Sequence, residues 1–145
     1  MFNLDLEANT TLKAVANLVD RTRNWRPALN EAALYMERQT KLRFAREEAP
    51  DGTQWAPLAA STRAAKKLRG APLKILVDTG ILESGIAARP ASDTQASVEA
   101  TAGAEYGIWH QIGTKRMPAR PYLGFSDEDV SAIDRIFKRH VDGDL

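Results

Sequence analysis

The chain has 145 residues, 43% of them apolar, and a formal net charge of +1; this suits a single domain spanning 1–145 and excludes wholesale disorder. It holds no cysteine, which excludes disulfides, thiolate metal sites and thiol nucleophiles, and its two histidines, His110 and His140, stand outside any metal-ligand spacing. No apolar run reaches the about 20 residues of a membrane-spanning helix, and the N-terminus, with Asp5 and Glu7, lacks the basic-then-apolar pattern of a secretory signal, so no membrane partner is expected and the protein is expected in a cytoplasm or released from one by lysis.

Phe2, Leu4 and Leu6 alternate with polar residues, which predicts a short strand. Asn9, Thr10 and Thr11 offer N-caps for a helix carrying Leu12, Val15, Ala16 and Val19 to about Asp20. After a polar break, Pro27 suits the first turn of a longer helix, Ala28 to Glu48, with the apolar stripe Leu29, Ala32 or Ala33, Met36, Thr40 and Phe44. Pro50-Asp51-Gly52 makes a turn and Trp55, Pro57 and Leu58 a loop. Ser61 is the expected N-cap of a short basic helix, Thr62 to Arg69, stopped by Gly70 and Pro72. Asp78 or Thr79 is expected to cap a single turn holding Ile81 and Leu82. Gly85–Arg89 and Ala96–Thr101 read as two strands joined by Pro90–Thr94, Ala104–Gln111 as a helix closed by Gly113, and Tyr122–Phe125 as a last strand. Ser126 with Asp129 three residues on resembles a capping box for a final helix bearing Val130, Ile133, Ile136, Phe137 and Val141. The class is therefore α+β, with N-terminal helices and a C-terminal helix packed on a small antiparallel sheet.

Two blocks stand out, Glu105–Gly113 and Pro118–Ser126. In the second, Pro118, Pro121 and Gly124 constrain Arg120 and Tyr122 to one shape, which suits packing or docking. At least one of Tyr122 and Phe125 is expected to be buried, and Arg120 to meet an acidic group or backbone carbonyls. Taken in order, Asp51-Gly52 with Trp55-Ala56-Pro57-Leu58, Thr62 with Lys66, Ile75 to Gly80 with Leu82, Tyr106 to Gly113 and Pro118 to Ser126 resemble the phage virion morphogenesis, or tail-completion, family of Mu-like and P2-like contractile-tailed phages and prophages. The resemblance covers residues 2–140. It implies a structural protein of the virion neck that completes the tail or joins it to the head. It also implies assembly with itself into a ring, a hexamer favoured and a dodecamer possible, against head–tail connector and tail-tube proteins, during morphogenesis in the bacterial cytoplasm. It implies no catalytic residue and no cofactor. One departure is Gly85, where the family usually has serine; glycine in a strand often marks a bulge.

Sharper functions have candidate residues. Leu76-Val77-Asp78-Thr79-Gly80 matches the Asp-Thr-Gly string of aspartic peptidases, where two carboxylates share a proton; helical flanks favour a capping turn instead. His110 lacks a nucleophile partner and reads as a packed side chain. Trp55, Arg120 and Tyr122 are candidate interface anchors, while Trp109 is expected in the core. Charge is uneven: residues 61–120 carry 9 basic and 5 acidic side chains, residues 121–145 carry 3 and 6. Asp127, Glu128 and Asp129 are thus candidates for contact with a basic neighbour. Arg63, Lys66, Lys67 and Arg69, with Lys115 and Arg116, are candidates for contact with DNA phosphates.

Overall fold

The absence of a helix breaker decides the first element. Phe2–Arg23 form one helix, α1, in the computed structural model, which describes residues 2–101 and 104–145. The strand expected at Phe2, Leu4 and Leu6 is therefore helical. No glycine or proline stands between Phe2 and Arg26, so the helix around Leu12–Val19 runs back through Asn9, Thr10 and Thr11 instead of being capped by them. The next helix, α2 (Arg26–Arg46), has Pro27 in its first turn and buries Ala32, Ala33, Met36, Thr40 and Phe44 of the stripe read from the sequence, with Ala28 buried where Leu29 was expected and Leu29 half-buried; Arg43 is buried with them. It ends at Glu47, in a left-handed conformation with φ 57°.

A turn follows, closed by Ala49 N–H to the Thr53 carbonyl at 2.8 Å and Trp55 N–H to the Glu47 carbonyl at 2.8 Å. Helix α3 (Ala60–Arg69) starts from Ala59, not from Ser61, and is closed by left-handed Gly70. The one-turn helix α4 (Ile81–Ser84) takes Gly80 as its N-cap, with φ 78° and no side-chain bond, so neither Asp78 nor Thr79 caps it. Strands β1 (Ile86–Arg89) and β2 (Ser97–Ala100) pair antiparallel, Ile86 opposite Ala100 and Arg89 opposite Ser97. Gly85 closes α4 in ordinary helical conformation, and no bulge opens the strand. Helix α5 (Ala104–Ile112) ends at Gly113, φ 75°. Residues 118–126 are irregular, so the strand expected at Tyr122–Phe125 is absent. Helix α6 (Asp127–Asp142) begins with the full capping box: Asp129 N–H donates to Ser126 Oγ at 3.0 Å and Ser126 N–H to Asp129 Oδ2 at 2.9 Å.

Helix α2 is the centre of the fold. The hairpin packs along it, α6 packs beside it, and α1 packs on α6. One apolar cluster gathers Phe44, Trp55, Ile75, Leu82, Ile86 and Tyr122; Phe44 meets Trp55 edge-on at 5.5 Å and Tyr122 at 5.4 Å. A second joins Ala28, Ala32 and Ile136 of α2 and α6. The architecture is α+β, and among the described residues no helix is long and apolar enough to cross a membrane.

Candidate assembly surface

The 118–126 segment holds its shape through side chains, not through a strand ladder. Gln111 replaces the missing strand: its Oε1 accepts from the Tyr122 and Leu123 N–H groups, each at 3.0 Å, and its Nε2 donates to the Leu123 carbonyl at 2.8 Å. Arg43 donates to the carbonyls of Tyr122 at 3.2 Å and Gly124 at 2.8 Å and forms a buried ion pair with Asp129. Arg120 donates to the Ala56 carbonyl at 2.8 Å and the Pro57 carbonyl at 2.9 Å, which fits the expectation of carbonyl partners. Trp55 Nε1 donates to the Pro121 carbonyl at 2.7 Å. Backbone groups of Pro121, Tyr122, Leu123 and Gly124 thus find side-chain partners, as a segment outside regular structure requires.

These contacts relocate several candidates. Trp55, 5% exposed, and Tyr122, 2% exposed, lie in the core, and Arg120 is buried beside them, so their first role is to build the monomer. Phe125 is 67% exposed. Among the three acidic candidates, Asp127 and Glu128 face water, while Asp129 is buried as cap and ion-pair partner. Lys66 leaves the DNA-contact set. It is 5% exposed, and its ammonium donates to the carbonyls of Pro72 at 3.0 Å, Lys74 at 2.9 Å and Val77, fixing the loop before α4. Arg69 is tied to Asp78 at 3.0 and 3.3 Å. Arg63, Lys67, Lys115 and Arg116 remain exposed. Sequence reasoning passed over Arg43, Gln111 and Glu47, whose carboxylate accepts from Ile75 N–H at 2.7 Å. Their partners lie far along the chain, and no local pattern marks such pairs.

A groove of about 820 Å³ lies between α3, α4 and α5, lined among others by Asp78, Arg69, Tyr106, His110, Arg116 and Met117. The Asp-Thr-Gly string enters it on an irregular loop in which Leu76 has φ 59°, and its carboxylate is committed to Arg69. His110 Nδ1 is buried there with no hydrogen-bond partner among the described residues, and Tyr106 packs edge-on at 6.4 Å. Burial, with the Arg120 guanidinium as a second cause, holds the imidazole below its ordinary pKa of 6.5.

The surface itself is unusual on two helices. Gly107 and Gln111 turn toward the 118–126 segment, and Gly107 approaches so closely that an added Cβ would stand 2.6 Å from Tyr122 Oη. Trp109, two positions on and about 200° round the helix, is therefore 51% exposed, where a core position was expected. Ile108 and Ile112 are exposed beside it. On α1, Leu12, Val15, Leu18 and Val19 are exposed, Leu12 at 65%. Apolar groupings of this kind mark protein–protein contact.

Buried charge thus fixes the irregular backbone, and large apolar side chains of α1 and α5 stand in water. The model of the phage virion morphogenesis family matches residues 6–142, and the chain belongs to that family. It is 35% identical over 99 residues to the Mu-like prophage FluMu G protein 1 of Haemophilus influenzae, covering 68% of this chain and 66%, just under two thirds, of that protein. It is 31% identical over 124 residues to the tail completion protein S of Escherichia phage P2, covering 77% of this chain and 81% of that protein. No solved structure matches the chain.

Proposed function

We propose that the protein is a structural subunit of a contractile-tailed phage particle that completes the tail and joins it to the head at the neck. It acts as a ring of copies, hexameric before dodecameric, seated between connector and tail-tube proteins after assembly in the host cytoplasm. It works by shape and buried area, with no turnover. The observation that carries this function is the pair of exposed apolar helix faces, on α1 and on α5 with Trp109, in a chain of the virion morphogenesis family. Tryptophan at a desolvated centre is a frequent source of association energy. The likeness to a tail completion protein supports the stage of action. Passing DNA would meet Arg63, Lys67, Lys115 and Arg116 through phosphate charge.

The test is complementation. A lysate of phage lacking this gene should contain filled heads and separate tails, and purified protein should restore infectious particles. Restored joining by a Asp78→Asn variant at the same yield is expected. A lysate whose particles are joined and infectious without the protein would overturn the proposal.

A further inference from the structure

We propose that α1 is an assembly arm: the stripe Leu12, Val15 and Val19 of one copy seats on α5 of the next, against Ile108, Trp109 and Ile112. The inference rests on the ring just proposed and names its contact.

The geometry of α1 leads to it. Its 22 residues extend about 33 Å at 1.5 Å per residue. It is tied down at its C-terminal end, where Arg21 Nε donates to the Val141 carbonyl at 2.9 Å and His140 Nε2 to the Arg21 carbonyl at 2.9 Å. Every side chain from Leu12 to Asp20 is exposed. A lone helix of this length draws little stability from its own hydrogen bonds, and helices in proteins persist by burying an apolar face. Leu12, Val15 and Val19 recur at i, i+3 and i+7, one such face, and among the described residues nothing covers it.

Helix α5 offers the complementary seat. Ile108 and Ile112 are one turn apart with Trp109 between them, and all three are exposed. Charge fixes the partner as a second copy and sets its direction. Acidic Asp5 and Glu7 stand in the first turns of α1, and Arg21 and Arg23 in its last turn. Glu105 opens α5, and Lys115 and Arg116 follow it. Laid antiparallel, α1 runs its acidic end toward the exposed Lys115 and Arg116 that follow α5. The two faces differ, so the contact is heterologous: each copy gives an arm and receives one, and the series closes where the rotation permits.

The absence of native cysteine makes the contact directly testable. The full chain is prepared as Val15→Cys, as Ile112→Cys and as both together, alongside wild type whose mass is measured in solution. Under mild oxidation the double variant should give a reducible ladder reaching trimer and beyond, and neither single variant should cross-link. Trp109→Ala should weaken association about tenfold or more with unchanged far-ultraviolet dichroism. A disulfide closed within one chain, dimers from Val15→Cys alone, or a wild-type oligomer that the double variant fails to trap would each overturn the arm while leaving the ring intact. A wild-type protein monomeric at every concentration that also fails to complement would instead remove the ring, and the arm with it.

Discussion

Arg43 and Asp129 meet out of water, and each also has backbone duties: Arg43 holds two carbonyls of the 118–126 segment and Asp129 closes the capping box of α6. Removing one partner strands the other charge, which costs about 3–5 kcal/mol. Asp129→Ala should therefore lower the unfolding free energy by about that much, read as the midpoint in urea. Asp127 and Glu128, two and one positions earlier and in water, should each tolerate lysine at a cost of about 1 kcal/mol, since a favourable charge at the helix N-terminus is exchanged for an unfavourable one. His110 carries a pH effect. Its folded pKa is lowered, so below 6.5 the unfolded chain binds the proton first. The stability tied to its neutral form is fully present above pH 6.5 and is lost as the pH falls through the lowered folded value. His110→Gln should flatten the decline of the urea midpoint on acidification from pH 6.5; an unchanged slope would assign the decline to other groups.

Among the elements, α5 is the one whose helix propensity and packing pull in opposite directions. Alanine at Gly107 would gain about 1 kcal/mol of helix propensity, yet its Cβ would lie 2.6 Å from Tyr122 Oη and 3.0 Å from Leu82 Cδ1. Overpacking of a core costs about 1–3 kcal/mol, so the clash should win: Gly107→Ala lowers the melting temperature, and adding Tyr122→Phe restores part of it. The same helix shows what the sequence could and could not disclose. Its bounds were legible from Gly113, and the stripe of α2, the hairpin and the capping box of α6 were legible because each is a local pattern. Trp109 was not, because its exposure follows from Gly107 and Gln111 facing Tyr122, a contact made across a turn. The strand read at Tyr122–Phe125 failed for a related reason: Arg43 and Gln111 supply from elsewhere the hydrogen bonds a neighbouring strand would have supplied. At Phe2–Glu7 six residues of alternation were outweighed by a stretch without glycine or proline that lets the following helix propagate backwards.

At the scale of the whole molecule, a basic middle of the sequence, net +4 over residues 61–120, is followed by an acidic end, net −3 over 121–145. Exposed ion pairs contribute about 0–1 kcal/mol each, so apolar contact must dominate association and salt should weaken a ring without dissolving it. Asp127→Lys with Glu128→Lys should leave folding intact and lower the yield of joined particles; normal yield from that pair would reduce the acidic end to a solvated surface. Asp129 does not belong in such a test, because its loss would destabilise the subunit itself. The tie between the two ends of the molecule has a further consequence, in time. Arg21 is bonded to Val141 and His140, some 120 positions later. At about 5–20 residues per second on a ribosome, α1 emerges many seconds before the residues that orient it exist. On the proposed arm, a chain still being translated would have nothing to orient α1, so copies crowded on one messenger would be kept from joining until His140 and Val141 have left the ribosome.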